Sequence, residues 1–204
     1  MINVPLLVSK LRSRHIREYR HEDFETCVSI YRSNLPDLLP PDILPDFENF
    51  LREGCSYILI VECDGQVVGT GSLALQGDSS NSHLAYGMIH RAHHGKGFGA
   101  SLLAARLSLS DPSSWPTQVH LETSPFSGNF FAQFGFRIVA THEGYNLGND
   151  ETGTTKMPFA HWHLSLVEED VLSLRTALLE KGVELNLETE SMFADQSYET
   201  QAPQ

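Results

Sequence analysis

Three glycines at alternate positions, Gly95-Lys96-Gly97-Phe98-Gly99, stand between an apolar run ending at Ile89 and a helical pattern starting at Phe98. No other stretch of the chain restricts its fold as much. Glycine loses more conformational freedom on folding than any other residue, so three in five positions are costly. The cost is offset where a backbone must approach a ligand with no Cβ in the way. The helix that follows offers unpaired N–H groups and a partial positive charge at its start. A glycine turn opening a helix is therefore an anion site of about phosphate size.

The same residues fit a second pattern. Gly95-x-Gly97-x-x-Ala100 matches a dinucleotide fingerprint, and Glu122 stands about 20 positions further on, where that fingerprint has its acidic residue. A dinucleotide strand runs almost directly into its first glycine, whereas residues 90–94 intervene here. No series of β-α-β units surrounds the turn. A nucleotide-binding oxidoreductase is thus the second reading of the motif.

Hydrophobic periodicity supplies the rest of the order. A short strand is expected at 15–19. Glu22 and Asp23 open a helix with Phe24, Cys27, Val28 and Tyr31 at helical spacing, and the proline-rich stretch 34–45 ends it. A second helix over 46–52 stops at Gly54. The apolar runs 57–62 and 66–75 flank Asp64-Gly65, a strong hairpin signal. A loop at 77–82 leads to a strand over 83–90 and then to the glycine turn. The helix after the turn places Arg106 at its margin and ends at Asp111-Pro112. A strand at 118–123, a short helix at 127–134, strands at 136–141 and 156–166 and a helix at 167–181 complete the pattern. Between the last two strands, 144–155 reads as a polar loop.

A chain of 204 residues suits one domain with tails. Nine acids against two bases from Glu168 onward give that end a net −7 of the chain's −12. No predicted element carries a basic stripe, which excludes nucleic acid as the expected partner. An acidic surface suits a cationic amine, and equally suits plain solubility. No apolar run approaches the roughly 20 residues that span a membrane, and 1–11 is too short and weakly patterned for a signal peptide. Cys27, Cys55 and Cys63 are odd in number with no C-x-x-C spacing, so reduced thiols and a cytoplasmic protein are expected.

The order β-α-α-β-β-β-α-β-α-β-β, with His94-Gly95-Lys96-Gly97-Phe98-Gly99 after the fourth strand, resembles the GCN5-related N-acetyltransferase (GNAT) superfamily. Its acetyl-CoA signature reads Arg/Gln-x-x-Gly-x-Gly/Ala; the glycines match, and His94 replaces the usual Arg or Gln. Phe130-Phe131-Ala132-Gln133-Phe134-Gly135-Phe136 is similar to the family's Leu-Tyr-x-x-x-Gly-Phe. The resemblance covers about three quarters of the chain. It implies an α/β (α+β) fold: a mixed, mostly antiparallel sheet of six to seven strands, flanked by helices and splayed at the central strands. The domain would occupy 15–166, after an N-terminal extension at 1–14. An added helix and short extension (167–187) and a polar, disordered tail (188–204) would follow.

The resemblance also implies a site. Backbone groups of Met88, Ile89 and His90 would pair with the pantetheine arm of acetyl-CoA. The amides of Gly95, Lys96, Gly97, Phe98, Gly99 and Ala100 would face its pyrophosphate, with Lys96 and His94 adding polar contacts. An amine would attack the thioester directly, in a ternary complex. At neutral pH an amine with a pKa of about 10 is protonated and needs a base. His83 is the leading candidate and Glu122 the second, while Tyr86 on the same strand as His83 either contacts substrate or packs. The family's tyrosine acid is replaced by Phe131, and Ser124 and Ser127 also depart from its pattern. That leaves Tyr145, water, or an unassisted thiolate. A non-catalytic acyl-CoA-binding module is the reading outside enzymes. The histidines at 90, 93, 94, 161 and 163 lack a cysteine or carboxylate at ligand spacing, so no metal is expected; His161 and His163 share a strand face, with Trp162 turned to the core. Acceptor choice in the family sits in segments matching 31–51 and 144–155, and neither carries a readable signature. Strand 156–166, taken as an edge, and the last helix are the candidate homodimer surface.

Overall fold

The computed structural model describes residues 1–54, 56–76, 81–110, 117–146 and 156–187. The chain forms one eight-stranded sheet with helices on both faces. In order, α1 (Val4–Lys10), β1 (Arg14–Glu18), α2 (Phe24–Ser33) and α3 (Leu44–Glu53) lead into the meander β2 (Tyr57–Cys63), β3 (Gln66–Gln76) and β4 (Asn81–Ile89). Then follow α4 (Phe98–Ser108), β5 (Thr117–Thr123), α5 (Pro125–Ala132), β6 (Arg137–Asn146), β7 (Lys156–Leu166), α6 (Glu168–Glu180) and β8 (Val183–Asn186).

The sheet order is β6-β7-β5-β4-β3-β2-β1-β8. Only β4–β5 and β1–β8 run parallel. One parallel step in the middle and one at an edge of an otherwise antiparallel sheet do not make a doubly wound sheet, and a 3-10 turn at Arg91–His93 separates β4 from the glycines, so the dinucleotide reading fails on both counts.

Helices α1, α4 and α6 cover one face, over a core holding Leu7, Leu59, Leu103, Val119, Trp162 and Leu174. Helices α2 and α3 cover the other, with Cys27, Tyr31, Phe47 and Ile60. From Ala100 to Ser108 every residue of α4 is buried. A helix enclosed on all sides has no polar margin. Arg106, expected at the margin, is accordingly only 3% exposed.

Three further features depart from the sequence reading. Residues 4–10 form a helix whose Leu7 is fully buried, and the Asn3 N–H donates to the Phe134 carbonyl at 3.0 Å. After α6 the chain returns as β8 beside β1, making eight strands rather than six to seven. Strand β7 is not an edge: β6 pairs on its outer side and β5 on its inner, so it offers no free ladder to a partner. The tail 188–204, Cys55, and residues 147–155 of the expected loop lie outside the described residues.

Two irregularities shape the middle of the sheet. The β4–β5 ladder runs from Asn81 opposite Gln118 to Leu84 opposite Leu121 and stops there. Beyond it the two strands part. On the other side of β4, Ala85 opposes Ser72 but Met88 opposes Thr70, so one extra residue bulges at Tyr86-Gly87. Tyr86 takes φ +48°, a left-handed conformation uncommon outside glycine. Its ring is held by Phe47 and Phe50, with centroids 4.9 and 4.8 Å away.

Candidate active site

Two chambers meet where β4 and β5 part. The first, about 700 Å³, runs from the glycine turn past Met88 and Ile89 to Gly87, Arg106, Ser127 and Phe131. The second, about 300 Å³, starts at the same group and extends to His83, Glu122 and Tyr31. An elongated ligand and a smaller one could therefore meet end to end through the gap in the sheet.

The far end of the first chamber is built for an anion. Gly95 and Gly97 take φ +74° and +85°, which a side chain would oppose by about 1–2 kcal/mol each. The first bond of α4 runs from Ser101 N–H to the Gly97 carbonyl at 3.2 Å. The amides of Phe98, Gly99 and Ala100 have no helical partner as a result. The turn is braced from behind: the Arg14 guanidinium lies 4.0 Å above the Phe98 ring and donates to the Lys96 carbonyl at 2.9 Å. Lys10 and Arg12, from the end of α1, also line this mouth. They had no sequence signal beyond being two of the few cations in an acidic chain.

All the expected cofactor residues except His90 line the first chamber. His90 instead caps the 3-10 turn, its Nδ1 accepting from the Ala92 N–H at 3.2 Å. His94 Nε2 lies 2.8 Å from the Ile89 carbonyl, which the Asn34 amide also donates to at 3.1 Å. The Ile89 carbonyl, expected to be open for a ligand, is thus already engaged. Lys96 Nζ donates to the Ala92 carbonyl at 3.0 Å.

In the second chamber His83 is half-buried. Burial pushes its imidazole below the ordinary 6.5, opposed by the nearby Glu122 carboxylate and reinforced by His161. It is therefore neutral at pH 7 and able to accept a proton. Glu122 is less free. Its Oε1 lies 2.9 Å from His161 Nε2 and its Oε2 3.8 Å from His142 Nε2. These three donor atoms fall within 4.8 Å of one another. The sequence showed no carboxylate at ligand spacing because β5, β6 and β7 assemble the set only in the sheet. His120 and His163 continue the same face with ring centroids 5.2 Å apart, and His163 bonds Gln118. Trp162 points to the opposite, buried face, as expected. Tyr31, its hydroxyl donating to the Pro40 carbonyl at 2.7 Å, closes the chamber opposite the sheet. The Tyr145 backbone lies in β6 opposite Met157; its side chain lies outside the described residues.

Both free cysteines among the described residues lie apart from the chambers. Burial raises the Cys27 thiol to about 12, which leaves it unreactive.

Arg106 was not anticipated as a site residue. Its guanidinium reaches the junction of the chambers under the β4 bulge. A Cβ at Gly87 would come within 2.8 Å of both terminal nitrogens, and one at Gly71 within 3.1 Å of one of them. The two glycines therefore make the room it occupies.

Comparison with known proteins agrees with this architecture. Among solved structures, an N-acetyltransferase from Staphylococcus aureus Mu50 is similar at 15% identity and TM-score 0.56, over 75% of this chain and 98% of that one. The GCN5-related N-acetyltransferase of Rhodopseudomonas palustris is similar at 18% identity and TM-score 0.60, over 76% and 98%. A candidate acetyltransferase from Salmonella typhimurium, solved with its cofactor acetyl-CoA, is similar at 16% identity and TM-score 0.56, over 76% and 95%. No curated protein matches the chain significantly. At such identities the neighbours speak for the fold alone. The family model of the acetyltransferase (GNAT) domain, however, matches residues 43–151, more than half the chain and both sides of the split sheet, and by that match the protein belongs to the GNAT acetyltransferases, with acetyl-CoA as co-substrate.

Proposed function

We propose that the protein transfers the acetyl group of acetyl-CoA to a small amine held in the 300 Å³ chamber. The observation that carries this reading is the meeting of two chambers at the parting of β4 and β5. Phosphates anchored on the amides of Phe98 to Ala100 leave the pantetheine arm free to extend along the first chamber. Its thioester then reaches Gly87 and Met88, where an amine can enter from the other side. Holding the two in line is the main source of rate. His83 accepts the amine proton, directly or through one water. It is preferred to Glu122 because that carboxylate is already shared by two imidazoles. Leu39, Ile43 and Phe159 give the chamber an apolar wall for the body of the acceptor, and Glu122 is the carboxylate in its lining that would attract a cationic amine.

The test is a titration with acetyl-CoA and with NADH, followed by free-thiol release across a panel of amines. Acetyl-CoA binds, NADH does not, and thiol release depends on the amine. Acetyl-CoA binding without turnover on any amine would instead support an acyl-CoA-binding module.

A further inference from the structure

Arg106 is the deepest charge described in the chain and has nothing to balance it. Its side chain is buried on α4, its Nε makes no hydrogen bond, and no carboxylate among the described residues pairs with it. Burial alone acts on the guanidinium, pulling it down to about 10, so it stays protonated at neutral pH. A buried unpaired cation is among the most unfavourable groups a core can hold. Methionine or leucine would fill the same space at no such cost. Two glycines, Gly71 and Gly87, make room for it. It opens onto both chambers at the point where they join. An arrangement of this kind fits a site where negative charge arises only during the reaction.

Given acetyl transfer as proposed above, on which this inference rests, that charge is on sulfur. We propose that Arg106 is a catalytic residue that stabilises the departing CoA thiolate, electrostatically supplying what a proton donor at position 131 would supply chemically. The amine lone pair forms the C–N bond. The C–S bond breaks and its electron pair passes to sulfur. The amine proton goes to the His83 imidazole and then to solvent. The sulfur departs as a thiolate against the guanidinium and takes a proton from water after release. Phe131, which lines the same junction, has no proton to give. The other carboxylate, imidazole and cationic groups that face the chambers are His83 and Glu122 on the acceptor side, and Lys10, Arg12, His93, His94 and Lys96 at the phosphate end. Neutral His83 and anionic Glu122 cannot lower a thiol pKa, and the phosphate-end cations are spent on the opposite end of the ligand.

The experiment is a pH titration of CoA bound to the wild-type protein, following the ultraviolet absorbance of the thiolate. A free thiol ionises near about 8.5. Bound CoA should ionise at least about one pH unit lower, a preference for the thiolate on the order of tenfold. Arg106→Met should return the bound thiol to the free value or above it, and lower kcat with acetyl-CoA on the order of 100-fold; Arg106→Lys should retain part of both effects. Desulfo-CoA should bind wild type and Arg106→Met alike. Ionisation in wild type no lower than in free CoA would overturn the role of Arg106, and needs no variant to fold. Failure of CoA to bind at all would remove the co-substrate reading, and this inference with it.

Discussion

His83 combines three requirements in one side chain: it lines the acceptor chamber, it sits on the strand that borders the gap, and its surroundings keep it neutral. Burial is the dominant influence, and it acts against the imidazolium. The base must be unprotonated to work, so kcat/KM falls as pH drops through the His83 pKa, which lies below the ordinary 6.5. Wild-type activity should therefore hold down to pH 6.5 and decline only below it. His83→Gln should lose on the order of 100-fold in kcat and also lose that acidic limb. A variant that keeps the limb would shift the role to another group, with Glu122 first in line.

The element that changes the picture most is α1. A helix of seven residues is too short to be stable alone, and only packing against α4 and α6 holds it. Its start is fixed by the Asn3 side chain accepting from the Leu6 N–H at 3.2 Å, with a proline in its first turn. Leu7 and Leu11 are fully buried beneath it. Leu7→Ala should cost about 2–5 kcal/mol in urea unfolding. It should also weaken acetyl-CoA binding, because Lys10 and Arg12 reach the phosphate mouth from the end of this helix. A loss of stability with unchanged affinity would show that those two cations take no part in binding. Strand β8 illustrates the same logic. Its Val183 and Leu185 read in sequence as a short extension after the last helix, and become a strand only because β1 presents a free edge for parallel pairing. Helix α5 depends on such an approach too: Gly128 lies so close to Trp162 that a Cβ would come within 2.7 Å of its ring.

Across the whole molecule, one charged network ties the start of the sheet to the helices on one face. Arg17 on β1 holds Asp23 with bonds of 2.7 and 2.8 Å and Glu62 on β2 with one of 2.6 Å. Burial is the largest single influence and acts to raise both carboxyls, but the Arg17 hydrogen bonds, together with Arg20 N–H at Asp23, His15 at Glu62 and the nearby positive charges, outweigh it, and both sit below their ordinary values of 3.8 and 4.5. Depressed carboxyl pKa values stabilise the fold above the unfolded pKa and cease to do so as pH falls through the folded one. Urea midpoints should thus be flat above about pH 5 and fall steadily below it. Asp23→Asn should be less stable at pH 7 and decline less steeply in acid. An equally steep decline in Asp23→Asn would assign the acid sensitivity elsewhere.

What the sequence determined by itself was local. The glycine spacing, the Asp64-Gly65 hairpin and the 3.6 and 2.0 periodicities depend on neighbours in the chain, and they located the helices α2 to α6, the strands β1 to β7 and the glycine turn proposed to hold the phosphates. Tertiary structure decided whatever depends on residues far apart in the chain. The arrest of the β4–β5 ladder at Leu84 opens the chambers, yet no residue near it announces a break. Glu122, His142 and His161 become neighbours only through strand pairing. Arg106 read as the polar margin of an ordinary helix, because its burial comes from α6 and the sheet enclosing α4 on all sides. The sequence marked the glycine turn proposed to hold the cofactor's phosphates; only packing revealed a second, unbalanced charge, Arg106, at the junction of the two chambers.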